Sequence, residues 1–392
     1  MQSLPLHVVI WFLNAAISLI VYNNIAIAKE APSDSSVGPA PELYQQMAGR
    51  GIRYLRGTQS DDGSWSHHAG PAVTALVATA LIRHGRSVDD PMLAKALGYL
   101  ENHIRDDGGI YQRGTRYRNY ETCLAIVSLS EANIDGRYDQ ILQQADHFVG
   151  ELQWDEGEGH ERSSPSYGGF GYGKHNRPDM SNTQISLDAF RALGKGAGDP
   201  CVEKALVFIS RCQNLESAHN TTPFATKVED GGFYYTVAAG GSSQAGETPN
   251  GGLRSYGSMT YAGLKSMIYA GVSSDDPRVT AAYQWIQAHY TLAENPGMGA
   301  AGLYYYYHTF AKALDTIGTN MVEDTDGSMH DWRRELAEVL ASEQHADGSW
   351  TNPTTRWLEG DPHRVTAYAL LALDYCRPPP KLQPNPYSQL CC

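Results

Sequence analysis

The stretch QSDDGSW at residues 59–65 returns almost letter for letter as QHADGSW at residues 344–350. Two near-copies this far apart in one chain point to an internal repeat, and repeats are sought before any other feature. Weaker forms of the glycine-aromatic step stand at Gly108-Gly109-Ile110-Tyr111, Gly169-Phe170-Gly171-Tyr172, Gly231-Gly232-Phe233-Tyr234 and Gly302-Leu303-Tyr304. The repeat then has six members.

Each step precedes a threonine and an apolar segment: VTALVATAL, ETCLAIVSL, NTQISLDAF, MTYAGLKSM, HTFAKALDT and VTAYALLAL. From Thr74 through Thr122, Thr183, Thr260 and Thr309 to Thr366 the mean period is about 58 residues, which loop insertions lengthen beyond the usual solenoid range. A second helical pattern lies before each step. Asp90-Pro91, Asp199-Pro200 and Asp276-Pro277 each offer an Asp N-cap with Pro at the first helical position, where a missing N–H costs nothing. Helices over 91–103, 200–213 and 277–290 are predicted from them. Segments such as VTAYALLAL are hydrophobic nearly all round, which suits a helix walled in on every side. The expected fold is therefore all-α: a six-unit α/α toroid over residues 41–376, a closed double ring with the threonine-led helices inside and their N-terminal ends around one cavity.

The composition fits this. The chain has 392 residues, 42% hydrophobic and 19% charged, enough apolar material for a large core. A formal charge of −13, without any cluster of Lys and Arg, argues against a nucleic-acid partner. Residues 8–22 are apolar and lead to Ala26-Ile27-Ala28, a small-x-small site, so residues 1–28 read as a signal peptide or an uncleaved anchor, with 29–40 a linker and 377–392 a flexible tail. Export, periplasmic or extracellular, is expected, with peripheral membrane contact. Six cysteines in this length make no disulfide framework, and Cys201 and Cys212 fall about 16 Å apart along one predicted helix. Cys391 and Cys392 end the chain, open to intermolecular pairing or to a frayed tail.

The Gln59…Asp62-Gly63-Ser64-Trp65 and Gln344…Asp347-Gly348-Ser349-Trp350 motifs resemble the Gln-Trp motifs of squalene-hopene cyclases, and the six-unit ring is similar to that family and to the β subunits of protein prenyltransferases. The resemblance covers about residues 41–376. It implies a terpenoid cyclase-type toroid with an apolar, isoprenoid-like ligand in its cavity. It also implies that Trp65 and Trp350 tie neighbouring repeats together. Where the cyclases carry Asp-x-Asp-Asp-Thr, this chain has Asp179, Ser181, Asn182 and Thr183, so only the first acid and the threonine survive. The prenyltransferase zinc site needs an Asp-x-Cys pair and a later His. Tyr307-His308-Thr309 matches the last element, but residues 251–267 hold neither Asp nor Cys. No metal and no cofactor are expected.

The residues just before each threonine, Val73, Glu121, Asn182, Met259, His308 and Val365, should lie near the ring's mouth. Glu121, Asp179 and His308 are the candidate catalytic groups, the first two as acids and the third, with tyrosines, as a stabiliser of cationic charge. Each has a plainer reading: Glu121 caps a helix or pairs with Arg118, His308 is a core histidine, and Asp179 is an acid at a helix start that Ser181 or Asn182 caps. The candidate ligand contacts are Tyr120, Ser181, Asn182, Tyr256, Tyr304, Tyr307 and Arg364. Four consecutive rings at Tyr304–Tyr307 cannot all face one core, so at least one should reach the cavity. Arg364 either makes a salt bridge with Glu121 or Asp179 or receives an anionic ligand group. VEDTDGS (322–328) lacks the later ligands of a calcium loop and reads as an Asp-Gly turn; the Gly/Ser-rich 236–252 is a flap beside the mouth or a surface loop. A non-catalytic envelope scaffold and a polysaccharide-active enzyme are the alternative functions, the latter requiring a carboxylate pair.

Overall fold

The structure, a computed structural model, describes residues 37–173 and 177–377, which from Gly38 onward belong to one compact unit. The export segment at residues 1–28, Cys391 and Cys392 lie outside the described residues.

Thirteen α-helices occur among the described residues. Six form an outer layer: α1 (Pro41–Thr58), α3 (Pro91–Glu101), α5 (Asp139–Gly150), α7 (Pro200–Arg211), α10 (Pro277–Ala288) and α12 (Trp332–Glu343). Six form an inner ring: α2 (Pro71–Arg83), α4 (Arg118–Ala132), α6 (Met180–Ala192), α9 (Gly257–Tyr269), α11 (Leu303–Thr316) and α13 (Pro362–Tyr375); α8 (Ala225–Val228) is a single turn. Around the ring α2 packs on α4, α4 on α6, α6 on α9, α9 on α11 and α11 on α13, and α13 returns to α2. The double ring is closed, as the repeat implied.

Burial separates the layers. Residues 71–81 of α2 and 257–267 of α9 are buried without a break, because neighbours and the outer layer enclose each inner helix. Outer α5 buries only Leu142, Ala145, Phe148 and Val149, the single stripe of an amphipathic helix. The outer helices start where Asp-Pro placed them: Asp90, Asp199 and Asp276 accept from the backbone N–H of Met92, Cys201 and Arg278 at 3.0, 2.9 and 2.9 Å. No described helix is long and apolar enough to cross a membrane.

The repeat threonines do not open the inner helices; they sit about one turn inside. Each hydroxyl reaches back to the turn. Thr74, Thr122, Thr183, Thr260 and Thr366 accept from the backbone N–H of Trp65, Ile110, Phe170, Phe233 and Trp350 at 3.0 to 3.1 Å. Thr122 and Thr183 also donate to the carbonyl four residues earlier. This docks each turn on its own inner helix and explains why threonine recurs there. The exception is unit five. Leu303 already begins α11, so Gly302-Leu303-Tyr304 is no separate turn, and Thr309 bonds only within its helix.

Neighbouring units are tied by the motif glutamines. Gln59 Nε2 donates to the carbonyls of Gly63 in its own turn and Met92 in the next outer helix, both at 2.9 Å. Gln344 does the same to Gly348 and, across the closing seam, to Met47. Gln153 and Gln213 repeat the bond pair in units three and four. The tryptophan indoles act inside their own unit, Trp65 donating to Leu55 O and Trp350 to Leu340 O, although the Trp350 ring also meets Gly51 of α1. The turn glycine is obligatory at the seam. Gly348 has φ +97°, and a Cβ there would come within 2.4 Å of the Arg50 carbonyl oxygen.

Asp326-Gly327 turns a two-residue β-hairpin, β1 (Val322–Glu323) with β2 (Met329–His330), and the Asp324 carboxylate accepts from Asp326 N and Ser328 N. His330 bridges Asp324 and Glu335 at 3.1 and 3.0 Å.

Candidate functional site

The N-terminal ends of the inner helices open on a cavity of about 560 Å³. Six helix axes point their positive ends toward it, a fixed bias in favour of negative charge. Tyr120 of α4, Tyr305 of α11 and Tyr368 of α13 supply aromatic wall from the helices, while Tyr172, Tyr235 and Tyr256 supply it from the turns. Trp357 and Leu358 stand on the rim, 42% and 48% exposed, and both hold a left-handed backbone, φ 56° and 63°, that non-glycine residues rarely adopt. Arg356 Nη2 donates to Gln244 Oε1 at 2.6 Å, joining that rim to the 236–252 insertion, which therefore lies beside the mouth.

Of the candidate residues, Tyr120, Glu121, Ser181, Tyr256 and Arg364 line the cavity. Asp179, Asn182, His308, Tyr304 and Tyr307 do not. At 100° per residue only one of four consecutive tyrosines faces inward. It is Tyr305, whose hydroxyl meets Ser181 Oγ at 3.1 Å and accepts from Gln184 Nε2 at 3.0 Å. Tyr306 and Tyr307 turn outward and donate to the carbonyls of Thr291 and Leu292, and Tyr304 packs edge-on against Tyr307. His308 lies deeper because its helix begins five residues before it, whereas Glu121 and Met259 fall in the first turn of theirs. Its ring stands beside Tyr368 and Tyr375, and burial, then the charges of Lys312 and Arg83, holds its pKa well below the ordinary range. It is a neutral imidazole.

Three acids around the mouth are occupied by structure, whereas Asp361 caps α13 through Oδ1 and leaves Oδ2 buried without a hydrogen-bond partner, 3.9 Å from His68 Nε2. Glu121 makes no ion pair with Arg118; its Oε2 accepts from Gln112 N at 2.8 Å and its Oε1 from the Thr115 hydroxyl at 2.6 Å, so it pins the 112–117 loop. Burial raises its pKa. Asp179 itself, not Ser181 or Asn182, is the N-cap of α6: Oδ1 accepts from Asn182 N at 2.8 Å and Oδ2 from Asn182 Nδ2 at 2.9 Å. It is 2% exposed, and burial pushes its pKa up to about 6. Glu359, absent from the sequence-based candidates, accepts from the backbone N–H of Tyr304 and Tyr305 and from Asn352 Nδ2, serving the N-terminus of α11 from a neighbouring loop.

Arg364 is a further exception to this satisfaction. It makes no salt bridge with Glu121, Asp179 or any other acid among the described residues. Its Nη2 donates to the Tyr120 and Tyr368 hydroxyls at 3.0 and 3.4 Å, the guanidinium lies 5.9 and 5.6 Å from their ring centroids, and Nε is buried without a partner. An arginine keeps its charge at any ordinary pH, so this is a partly buried, permanent cation in an aromatic wall, acted on by the Glu359 carboxylate through space but in ion-pair contact with no acid among the described residues.

Deeper in the ring Lys265, 1% exposed, donates to Asp188 Oδ1 at 2.6 Å, and Lys312 meets Asp188 Oδ2 at 2.9 Å. Burial draws the Lys265 ammonium down to about 7; Asp188, despite burial, is held down to about 2 by the two lysines. Among the described residues no group of His, Cys, Asp and Glu is arranged to hold a metal ion.

Comparison with known proteins agrees with this architecture. The squalene-hopene cyclase C-terminal domain model matches residues 68–237. No curated protein sequence matches the chain. Among solved structures, the apo type II terpene cyclase MstE from Scytonema is similar over 86% of this chain and 98% of its own, with a TM-score of 0.50 at 13% identity. A family 76 glycoside hydrolase from a bovine Bacteroides thetaiotaomicron strain is similar over 84% and 77%, with a TM-score of 0.49 at 9% identity. A variant of the Scytonema cyclase in complex with its substrate geranylgeranyl dihydroxybenzoate is similar over 86% and 97%, with a TM-score of 0.32 at 12% identity. With six hairpin units closed into one ring and glutamine-tied turns, the chain is an α/α toroid of the fold seen in the Scytonema cyclase, and its residues 68–237 match the squalene-hopene cyclase C-terminal domain model.

Proposed function

We propose that this toroid binds an amphipathic, isoprenoid-like acid, with its apolar body in the tyrosine-walled cavity and its anionic head on Arg364. The unpaired guanidinium is the observation that carries the reading. A partly buried charge without an ion-pair partner is costly, and a carboxylate or phosphate head would supply that partner in a charge-assisted bond. At roughly 30 Å³ per heavy atom the cavity holds about 19 of them, the scale of a three-isoprene acid.

Recognition is favoured over proton-driven cyclisation. Protonating an alkene demands a strong acid aimed at the substrate, and Glu121, Asp179 and Glu359 each commit both oxygens to structural donors. The same commitments weigh against a polysaccharide-active site, which needs two free carboxyl groups across a sugar. A purely structural scaffold would have no use for an open cavity with a charge that lacks an ion-pair partner. On this reading the chain is exported, and exposed Tyr117, Trp357 and Leu358 at the rim are its contact with the membrane that supplies the ligand.

Native mass spectrometry of the purified protein, followed by extraction, tests the reading. A retained lipid acid within the size limit is expected. Protein that is empty and also fails to take up added farnesoate overturns it.

A further inference from the structure

The opposite end of the ring holds a second pocket of about 210 Å³, walled by Arg83, Ser130, Asp188, Arg191, Tyr269 and Lys312 among others. Its charges do not balance. Arg83 is spent on Glu131, with guanidinium-to-carboxylate contacts of 2.6 and 3.0 Å, and Asp188 is shared between Lys265 and Lys312. Arg191 stacks 4.2 Å from the Tyr269 ring centroid and has no carboxylate in ion-pair range among the described residues. Three cationic side chains of the lining, Arg83, Arg191 and Lys312, therefore meet two carboxylates, one of them shared with Lys265; the Lys312 ammonium uses a single acceptor, and Ser130 Oγ is buried without any partner.

The inner helices end here, so these cations could simply answer the negative ends of the helix dipoles. The backbone argues otherwise. The last-turn carbonyls of Leu81, Phe190, Met267 and Leu314 are already taken by the N–H groups of Arg86, Lys195, Val272 and Thr319 in the turns that close the helices. The side-chain donors of Arg191, Lys312 and Ser130 are left facing the pocket.

We propose that this lower pocket binds a small tetrahedral oxyanion, phosphate or sulfate, between the Lys312 ammonium, the Arg191 guanidinium and the Ser130 hydroxyl. At roughly 30 Å³ per heavy atom it admits about seven, enough for such an ion and too few for a second isoprenoid. The anion would complete the charge balance around Asp188 and give Ser130 its acceptor. The inference is independent of what the upper cavity holds.

Titration calorimetry of the full-length protein with sodium phosphate and sodium sulfate, chloride holding the ionic strength constant, provides the test. Saturable one-to-one binding is expected. Arg191→Gln, at an exposed position and with thermal unfolding as the control for its fold, should weaken it about tenfold, and Ser130→Ala about threefold, since charged partners contribute more than neutral ones. No saturable binding by the unsubstituted protein, or equal affinity in Arg191→Gln, overturns the proposal.

Discussion

Asp179→Asn should stabilise this protein at neutral pH, against the usual cost of changing a buried capping residue. Asn and Asp are equivalent N-caps, so the bond to Asn182 N survives the substitution. The new side-chain amide would face Asn182 Nδ2, but Asn182 Oδ1 is buried without a partner, and a flip of that amide turns a donor clash into a hydrogen bond. What changes is protonation. The folded carboxyl titrates near 6 against 3.8 in the unfolded chain, so the folded state binds the proton more tightly. Below pH 3.8 both states are protonated and Asp179 costs nothing. As pH rises from 3.8 to 6 the unfolded chain ionises first and stability falls, reaching a plateau above 6. At 1.36 kcal/mol per pKa unit the full loss is about 3 kcal/mol, and the Asn variant escapes it. Urea unfolding of both proteins at half-unit steps from pH 3.5 to 8 measures the difference. Curves that stay parallel across that range, or an Asn variant less stable at pH 7.5, refute the reasoning.

Other outcomes follow from single contacts. Gln213→Ala strips the Gly231 and Arg278 carbonyls of a buried donor and should cost about 2–6 kcal/mol in urea unfolding, at one to three per orphaned group. Asp188→Asn leaves the buried Lys312 ammonium without its carboxylate, beside a Lys265 that then sheds its proton, and should cost about 3–5 kcal/mol, part of which Lys312→Met should restore in a double-mutant cycle. Leu358→Gly relieves a left-handed residue that is already 48% exposed, so the melting temperature should hold or rise, by the equivalent of about 1 kcal/mol.

The ring was legible because its period is written in turn chemistry: two near-identical Gln…Gly-Ser-Trp segments, Asp-Pro helix starts and six apolar segments. The tie between units was half legible. Gln153 and Gln213 make the same bonds as Gln59 and Gln344, but their turns lack Asp-Gly-Ser-Trp and hide the kinship. The cavity was harder. Tyr172 and Tyr235 stand two residues after Phe170 and Phe233, as Gln112 does after Ile110, so alignment of the repeats on the large apolar residue that follows the turn glycines would have placed all three at the mouth. Choosing Tyr305 from its run required the helix register, which the displaced start of unit five obscured. Glu359 acts on a helix more than fifty residues away in sequence, and the positive φ of Trp357 and Leu358 has no signature in residue type.

The central claim is that Arg364 waits for an anionic head at the edge of an apolar cavity. Farnesoate and farnesol share one chain and differ in that head, so their dissociation constants from the unsubstituted protein and from Arg364→Met isolate the contribution of the guanidinium. The account predicts that the unsubstituted protein prefers the acid by about tenfold or more and that the preference falls to near parity in the variant. An acid preference that survives the loss of Arg364, or no binding of either compound, would contradict it.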